Sequence, residues 1–217
     1  MEIFPSLISS DLLNLEKTIK LLDKQCDGYH IDVMDDHFVP NLTWGPAFVN
    51  AIRNATDLPM HVHLMVEDPE KWVERLELKG FDILIFHIEV FLGSTKICRD
   101  LIESVKKKNW QVGIAINPDT DVEDVFEYLK DIDHVLLMSV QPGFSGQKFI
   151  PEVLQKVEPI LKKRRDKDLS FTLGMDGGID KENIALVEDE GVDQIGIASG
   201  IFSQKDWVAA LGELYRL

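Results

Sequence analysis

Residues 111–138 read QVGIAINPDTDVEDVFEYLKDIDHVLLM, and this stretch decides the fold. Its two ends, residues 111–116 and 134–138, are apolar runs of the length expected for buried β-strands. Between them, apolar residues recur with the spacing of one helix face at Val122, Val125, Phe126 and Leu129. The stretch therefore predicts a strand, a helix and a second, parallel strand joined by a right-handed crossover.

The same alternation extends along the whole chain. Six further apolar runs occupy residues 3–8, 29–33, 60–65, 83–87, 171–175 and 194–198. A second helical pattern is formed by Val153, Leu154, Val157 and Leu161, and helix starts are indicated by Gly45-Pro46 and Asp68-Pro69. Eight strands, each followed by a helix, predict an α/β fold, a parallel eight-stranded (β/α)8 TIM barrel formed by residues 1–217 as one domain. A doubly wound sheet is the alternative, but it typically has fewer strands.

Composition limits the classes of function. The 217 residues are 45% hydrophobic and 28% charged, as in an ordinary globular domain. The net charge of −15 disfavours binding to nucleic acid and to anionic membranes. No apolar run approaches the ~18 residues of a membrane span, and no secretory signal is evident. Cys26 and Cys98 lack the spacing of a metal or redox motif. We therefore expect a cytoplasmic protein without nucleic-acid or membrane partners.

Four residues of metal-binding type lie where predicted strands end, which is where barrel enzymes carry their chemistry. His30 and Asp32 are two positions apart on the second strand and so share one side of it. His63 lies near the end of the third strand, and Asp176 ends the seventh. Two imidazoles and two carboxylates suit one borderline divalent ion such as Zn, Mn, Fe or Co.

Each of these residues also has a structural interpretation, as a hydrogen-bonded core histidine or a capping aspartate. The structural interpretation does not account for four such residues at the same end of three strands. His61, His87 and Glu89 lie nearby in the sequence, and for these three we expect structural roles.

Glycine-bearing loops follow the last three predicted strands. Residues 142–147, PGFSGQ, follow the sixth strand and are suited to a mobile lid. Gly177-Gly178 follows the seventh strand, and Ala198-Ser199-Gly200 follows the eighth. Small residues let backbone N–H groups approach an anion, and many barrels bind phosphate at this place. A site for a phosphorylated small molecule is therefore predicted, although turns also require glycine.

Three methionines, Met34, Met65 and Met138, fall at the ends of the second, third and sixth predicted strands. Methionine commonly fills gaps in a core. Their shared level also indicates an apolar lining above the four polar residues.

With these residues identified, the sequence resembles the ribulose-phosphate 3-epimerase family, including relatives that act on allulose 6-phosphate. The resemblance covers nearly the whole chain and rests on five motifs in order. They are PSLISSD at residues 5–11, HIDVMD with HFVPNLT at residues 30–43, VHLM at 62–65, MSVQPGFSGQ at 138–147 and DGG at 176–178.

The resemblance implies a (β/α)8 isomerase with one divalent metal ion, acting on a small-molecule sugar phosphate of carbohydrate metabolism. It implies that His30, Asp32, His63 and Asp176 hold the metal and that Asp32 and Asp176 form the catalytic acid/base pair. It further implies a homo-oligomer. The implied substrate-binding residues are Ser6, His63, Met34, Met65, Met138, Gly143, Phe144, Ser145, Gly146, Gly177, Gly178, Ala198 and Ser199.

The sequence departs from the family pattern at two places. Gly174-Met175 stands where Glu-Val is usual, so a carboxylate on the same side of the strand as Asp176 is missing. Ala198-Ser199-Gly200 stands where Gly-Ser-Ala is common. We expect the first change to alter how Asp176 is held and the second to affect the phosphate site.

The resemblance implies interconversion of D-ribulose 5-phosphate and D-xylulose 5-phosphate, in pentose phosphate metabolism. Three other functions stay open at this point. The first is 3-epimerisation of D-allulose 6-phosphate, a substrate one carbon longer. The second is a phosphate-binding barrel decarboxylase or aldolase, which the lack of a lysine at the strand ends disfavours. The third is a non-catalytic barrel that binds a sugar phosphate or a metal.

Overall fold

The structure, a computed structural model, describes all residues from Met1 to Leu217. The strands are β1 (Glu2–Pro5), β2 (Tyr29–Met34), β3 (Met60–Met65), β4 (Ile83–His87), β5 (Gln111–Ile116), β6 (His134–Met138), β7 (Thr172–Asp176) and β8 (Gln194–Ile197). The α-helices are α1 (Leu15–Leu22), α2 (Pro46–Ala55), α3 (Glu70–Val73), α4 (Thr95–Lys107), α5 (Glu123–Phe126), α6 (Val157–Asp166), α7 (Ile184–Asp189), α8 (Ser199–Phe202) and α9 (Trp207–Leu214). Short 3₁₀ helices occupy Leu7–Ser9, Leu12–Asn14, Ile88–Phe91 and Pro151–Lys156.

The strands form a nearly closed barrel. Strand pairing is parallel throughout, in the order β1-β8-β7-β6-β5-β4-β3-β2. Between β1 and β2 the pairing consists of one isolated parallel bridge, Ser6 with His30. The predicted (β/α)8 barrel is thereby confirmed, and the strands close onto each other beside two of the predicted site residues. No helix combines the length and hydrophobicity that crossing a lipid bilayer requires.

Alternate residues along each strand face two different packing regions. Leu84 and Phe86 of β4 belong to the large core that packs the sheet against the helices. Ile83 and Ile85, between and beside them, belong to a separate cluster with Leu136 of β6. Because successive strand residues point to opposite faces, this second cluster lies inside the barrel. The same alternation places every second residue of β2, β3 and β7 inside the barrel.

Most predicted strand limits agree with the structure to within a residue or two. The exception is the run at residues 3–8, because β1 ends at Pro5 and the chain turns into a 3₁₀ helix at Leu7. Leu7 is fully buried there, so the apolar pattern continues although the strand does not. The Gly45-Pro46 helix start is confirmed at α2.

The expected cap at Asp68 was wrong. Helix α3 begins at Glu70, one residue after Pro69, and no side chain caps it. The Asp68 carboxylate pairs instead with the Lys71 side chain one turn further on. The Asp68–Lys71 ion pair thus takes the place of the hydrogen bond from the helix backbone to Asp68 that the sequence predicted.

Candidate active site

The four predicted metal-type residues meet at the carboxyl-terminal end of the barrel. The barrel alternation turns His30 and Asp32 of β2, His63 of β3 and Asp176 of β7 toward the interior. One ligand atom from each lies within 4.8 Å of the ligand atoms of the other three, and all four residues are buried. This group can hold a metal ion.

The distances within this group fit a tetrahedral site. His30 Nε2 lies 3.2 Å from Asp32 Oδ1, 3.2 Å from His63 Nδ1 and 3.7 Å from Asp176 Oδ2. His63 Nδ1 lies 3.3 Å from Asp32 Oδ1. Metal–ligand bonds of about 2.0–2.1 Å in a tetrahedron separate the ligand atoms by about 3.3 Å. The two nitrogen and two oxygen donors therefore suit one divalent ion of the zinc type in kind and number, with Asp176 the most widely spaced of the four.

The two aspartates have opposite proton affinities. Burial raises the pKa of Asp176 to about 7, since the lowering effect of His30 is opposed by the nearby charge of Asp32. Burial acts in the same direction on Asp32, but the charge of His30 and hydrogen bonds from His30 and His63 outweigh it and hold the pKa of Asp32 well below its usual range. Carboxyl groups with pKa values driven apart are typical of acid/base pairs.

The two histidines also differ. Burial tends to lower the pKa of His30, but the carboxylates of Asp32 and Asp176 outweigh this effect and raise the pKa to about 9. For His63, burial dominates and lowers the pKa to about 3. The group thus holds a His30 cation between two carboxyl groups, and an ion bound there would replace that positive charge.

Ser6 contacts this group from the strand end that closes the barrel. The buried Ser6 hydroxyl donates a hydrogen bond to Asp32 Oδ2, the oxygen that does not face His30. The resemblance implied a substrate contact for Ser6. In the structure Ser6 lies beneath the mouth and orients Asp32.

A cavity of about 50 Å³ opens above the four polar residues. Met34, Met65 and Met138 line it, as predicted from their shared level at the strand ends. Asp32 and Asp176 form part of its floor, whereas His30 and His63 lie below it. The other predicted binding residues that line it are Gly143, Phe144, Ser145, Gly146, Gly177, Gly178, Ala198 and Ser199.

The glycine-bearing loops come together on one side of this cavity. Gly178 has a φ of +65°, and a Cβ atom there would lie 2.4 Å from the backbone nitrogen of Phe149. Only glycine allows the loop after β7 to approach the segment after β6 so closely. The small residues thus let the loops after β6 and β7 share one wall of the cavity.

The segment after β6 crosses the mouth as a lid. Ser145 Oγ lies 2.6 Å from Ser9 Oγ, in the loop after β1. Asn41, in the loop after β2, donates a hydrogen bond of 2.7 Å to the carbonyl of Gly143. Phe144 remains half exposed at its tip. These few polar contacts hold the lid over the cavity without burying it in the core.

A histidine occupies the space beside Gly174, the position where the resemblance predicts glutamate. A Cβ atom on Gly174 would lie 2.6 Å from both Cε1 and Nε2 of His134. The His134 ring is fixed at its other side by a 2.8 Å hydrogen bond between Nδ1 and Thr172 Oγ1. His134 is fully buried and packs against His61, with ring centroids 5.0 Å apart. The His134 imidazole, from the neighbouring strand, therefore fills the space that a side chain at position 174 would take.

Gly174→Ala tests this exchange. Since the new methyl group would overlap the fixed ring, we expect the free energy of unfolding to fall by about 1–3 kcal/mol. In the background of His134→Ala, which empties the space, the same change should cost much less, and a double-mutant cycle in denaturant measures the difference. Gly212→Ala is the matched control, because its Cβ would meet no atom closer than 3.9 Å. Equal costs in both backgrounds would refute the packing exchange.

Some parts of the site were missed from the sequence. A Cβ atom on Gly196 would lie 2.5 Å from Asp176 Oδ1, so this glycine makes room for the carboxylate. The register pairs Gly196 with Asp176, and strand alternation was the signal that would have found it. His87 contacts His63 directly, and Glu89 contacts His87, which no spacing in the sequence indicates.

Comparison with known proteins identifies the family. A model of the ribulose-phosphate 3 epimerase family matches residues 2–202. The chain is 38% identical over 219 residues to a ribulose-phosphate 3-epimerase of Bacillus subtilis (strain 168), covering 99% of this chain and 98% of that protein. It is 38% identical over 200 residues to a ribulose-phosphate 3-epimerase of Treponema pallidum (strain Nichols), covering 92% and 90% of the two chains.

Solved structures share the fold at much lower sequence identity. KGPDC from Streptococcus mutans superposes with a TM-score of 0.70 at 16% identity, covering 99% of this chain and 97% of that one. A 3-hexulose-6-phosphate synthase superposes with a TM-score of 0.63 at 15% identity, covering 100% and 99%. These likenesses establish the barrel alone. Together with the family model and the curated relatives, the motifs along the barrel establish that the chain belongs to the ribulose-phosphate 3-epimerase family and is an isomerase of the epimerase class.

Proposed function

We propose that this protein interconverts D-ribulose 5-phosphate and D-xylulose 5-phosphate by removing the proton from one face of C3 and delivering another proton to the opposite face. The observation that carries the proposal is the pair of carboxylates, Asp32 on β2 and Asp176 on β7, at the floor of one cavity. The names of the curated relatives favour the five-carbon substrate.

The proposed reaction uses the two carboxylates on opposite faces of the substrate. One of them removes the C3 proton, and the electron pair of the C–H bond moves to form an enediolate with the ketone carbon and its oxygen. The other donates a proton to the opposite face of C3, which inverts that centre. The direction of the reaction decides which aspartate acts first. Positioned proton transfer of this kind contributes about 10²–10⁴ in rate.

His30, Asp32, His63 and Asp176 are the residues that would hold a divalent ion. When bound, such an ion would supply a Lewis acid that makes the C3 proton more acidic and stabilises the developing negative charge. The burial of both histidines keeps the imidazoles in place, and Ser6 fixes the free oxygen of Asp32. The closed lid would exclude water from the reactive enediolate.

The proposed phosphate site is the wall formed by the loops after β6, β7 and β8. Ser199→Ala should raise KM for the sugar phosphate about 3- to 10-fold with kcat nearly unchanged, because it removes one hydrogen bond to a charged group. Ser170→Ala is the control, since that exposed serine precedes β7 at the opposite end of the barrel. An unchanged KM would exclude Ser199 from phosphate binding.

Comparison of the two candidate substrates tests the proposed function. Epimerisation of D-ribulose 5-phosphate and of D-allulose 6-phosphate is followed separately on ion-loaded protein. We expect the larger kcat/KM for the pentulose phosphate. A larger value for the hexulose phosphate would reassign the substrate, and no turnover of either would favour a binding protein without catalysis.

A further inference from the structure

Two buried imidazoles and one partly buried carboxylate form a line that leads away from the proposed metal site. His63 Nδ1 faces Asp32 and His30, and its other ring nitrogen, Nε2, lies 2.8 Å from His87 Nε2. The far nitrogen of His87, Nδ1, lies 3.0 Å from Glu89 Oε2. The line therefore runs from the candidate ligand atom through two imidazoles to one carboxylate, and neither His87 nor Glu89 belongs to the four-residue group.

Glu89 is firmly held at its other oxygen. Glu89 Oε1 accepts hydrogen bonds from the backbone N–H of Asn117, at 2.7 Å, and from the Thr120 hydroxyl. The Lys156 ammonium in turn donates to the carbonyls of both those residues. Burial would raise the pKa of Glu89, but the hydrogen bonds from His87, Thr120 and the backbone of Asn117 outweigh it and lower the pKa. Glu89 is thus a fixed carboxylate that acts only as a hydrogen-bond acceptor.

A fixed acceptor at one end determines the proton positions along the whole line. Since Glu89 Oε2 can only accept, His87 Nδ1 carries the proton and donates it. With its Nδ1 proton donated to Glu89, His87 offers the lone pair of Nε2 across the 2.8 Å contact, and this lone pair accepts a hydrogen bond from His63. His63 must therefore carry its proton on Nε2, and this leaves a lone pair on Nδ1, the atom that faces Asp32 and His30.

We propose that Glu89 and His87 are positioning residues that hold His63 in the tautomer able to bind a divalent ion through Nδ1. The proposal rests on the proposed function, because it assigns a role toward the metal site of that reaction. Ligand histidines commonly donate their second N–H to a carboxylate, carbonyl or water. Here the His87 imidazole lies between the ligand histidine, His63, and the Glu89 carboxylate. Glu89 therefore sets the proton positions on both rings.

Packing limits the freedom of the line to rearrange. The His63 and His87 rings are nearly parallel, with centroids 5.0 Å apart. Phe38 covers His87 from the mouth, with ring centroids 4.7 Å apart. Both imidazoles are almost completely buried, so neither ring has room to turn over or water to exchange its hydrogen bonds with.

Glu89→Gln is the test, because it replaces one carboxylate oxygen by an NH₂ group of nearly the same size. The amide oxygen can keep the contacts to Asn117 and Thr120, and the NH₂ group then faces His87 Nδ1 as a donor. The hydrogen bonds along the line would then run in the opposite direction, from the NH₂ group through His87 to His63. The proton of His63 would lie on Nδ1. We expect zinc to bind about 10- to 100-fold more weakly, as measured by competition with a chromophoric chelator. Glu103→Gln, at an exposed position on α4, should leave the zinc affinity unchanged.

A second measurement needs no variant. Long-range ¹H–¹⁵N correlation spectra of the zinc-loaded wild-type protein report which ring nitrogens carry protons. We expect His63 protonated at Nε2 and bound to zinc at Nδ1, and His87 protonated at Nδ1 alone. His87 protonated at both nitrogens, or His63 unprotonated at Nε2, would overturn the proposed relay, in which Glu89 sets the tautomer of His63 through His87.

The outcomes separate the relay from the proposed function. Wild-type zinc affinity in Glu89→Gln, or a loss of affinity that follows only from unfolding of the variant in the thermal melt, would overturn the relay and leave the metal site standing. Failure of the wild-type protein to bind any divalent ion would overturn the metal site and the relay together. Weaker zinc binding by a folded variant, together with the expected tautomers, supports the relay.

Discussion

Asp176→Asn should lower kcat for epimerisation by at least about 10³-fold while the barrel stays folded. The asparagine amide cannot take or give a proton at C3, and positioned acid/base transfer contributes about 10²–10⁴ in rate. The substitution keeps the size of the side chain, so Gly196 still accommodates it. Since the native carboxyl is buried and its pKa is raised to about 7, its neutral replacement should not reduce stability at neutral pH.

Asp176 is also a candidate ligand, so the assay has to separate the two roles. Activity is measured at a saturating concentration of divalent ion, and ion affinity is determined independently on the same variant. Asp189→Asn, at an exposed position on α7, makes the same change of charge and should keep wild-type activity. Near wild-type turnover of Asp176→Asn at saturating ion would refute the two-base assignment.

Removal of the divalent ion is expected to have an effect of similar size. Chelation should lower turnover about 10³-fold, which corresponds to the loss of several kcal/mol of charge stabilisation. The addition of one equivalent of ion should restore it. Full activity after exhaustive chelation would contradict metal dependence, whatever the arrangement of the four side chains.

The number of protons released on ion binding provides a quantitative test of the four-residue metal site. Without the ion, His30 has a pKa of about 9 and Asp176 one of about 7, while Asp32 and His63 are unprotonated at neutral pH. All four donor atoms must be free of protons to bind the ion, so loading at pH 7 should release between about one and two protons.

The pH dependence of ion binding follows from these two groups. The number of protons released should rise toward about two below pH 7 and vanish above about pH 9, so affinity increases with pH through this window. Calorimetry in buffers of different ionisation enthalpy measures the release. Binding without any proton release at pH 7 would show that His30 is not a ligand through Nε2.

The sequence was sufficient for the architecture and for the positions of the polar residues on it. Apolar runs locate β3 and β6 because buried parallel strands are short and continuous in hydrophobicity. The two-residue spacing of His30 and Asp32 indicates a shared face because strand geometry is fixed. The predicted helix cap at Asp68 was wrong, because the Asp68 carboxylate pairs with the Lys71 side chain.

What the sequence could not supply is the contact network within the site. The connection from His63 through His87 to Glu89 depends on side-chain rotamers and on the packing of Phe38, neither of which a spacing encodes. The departure at Gly174 was visible, but its partner His134 lies on another strand. Only the register of β6 against β7 brings the two together.

The central claim is proton transfer at C3 between two carboxylates and solvent. The most direct test is the reaction of D-ribulose 5-phosphate in D₂O with ion-loaded protein, followed by NMR at the C3 position. We predict that D-xylulose 5-phosphate formed in the first turnovers carries deuterium at C3, since the proton it receives comes from a carboxyl group that has exchanged with solvent. Product that keeps its original hydrogen at C3 would contradict the account.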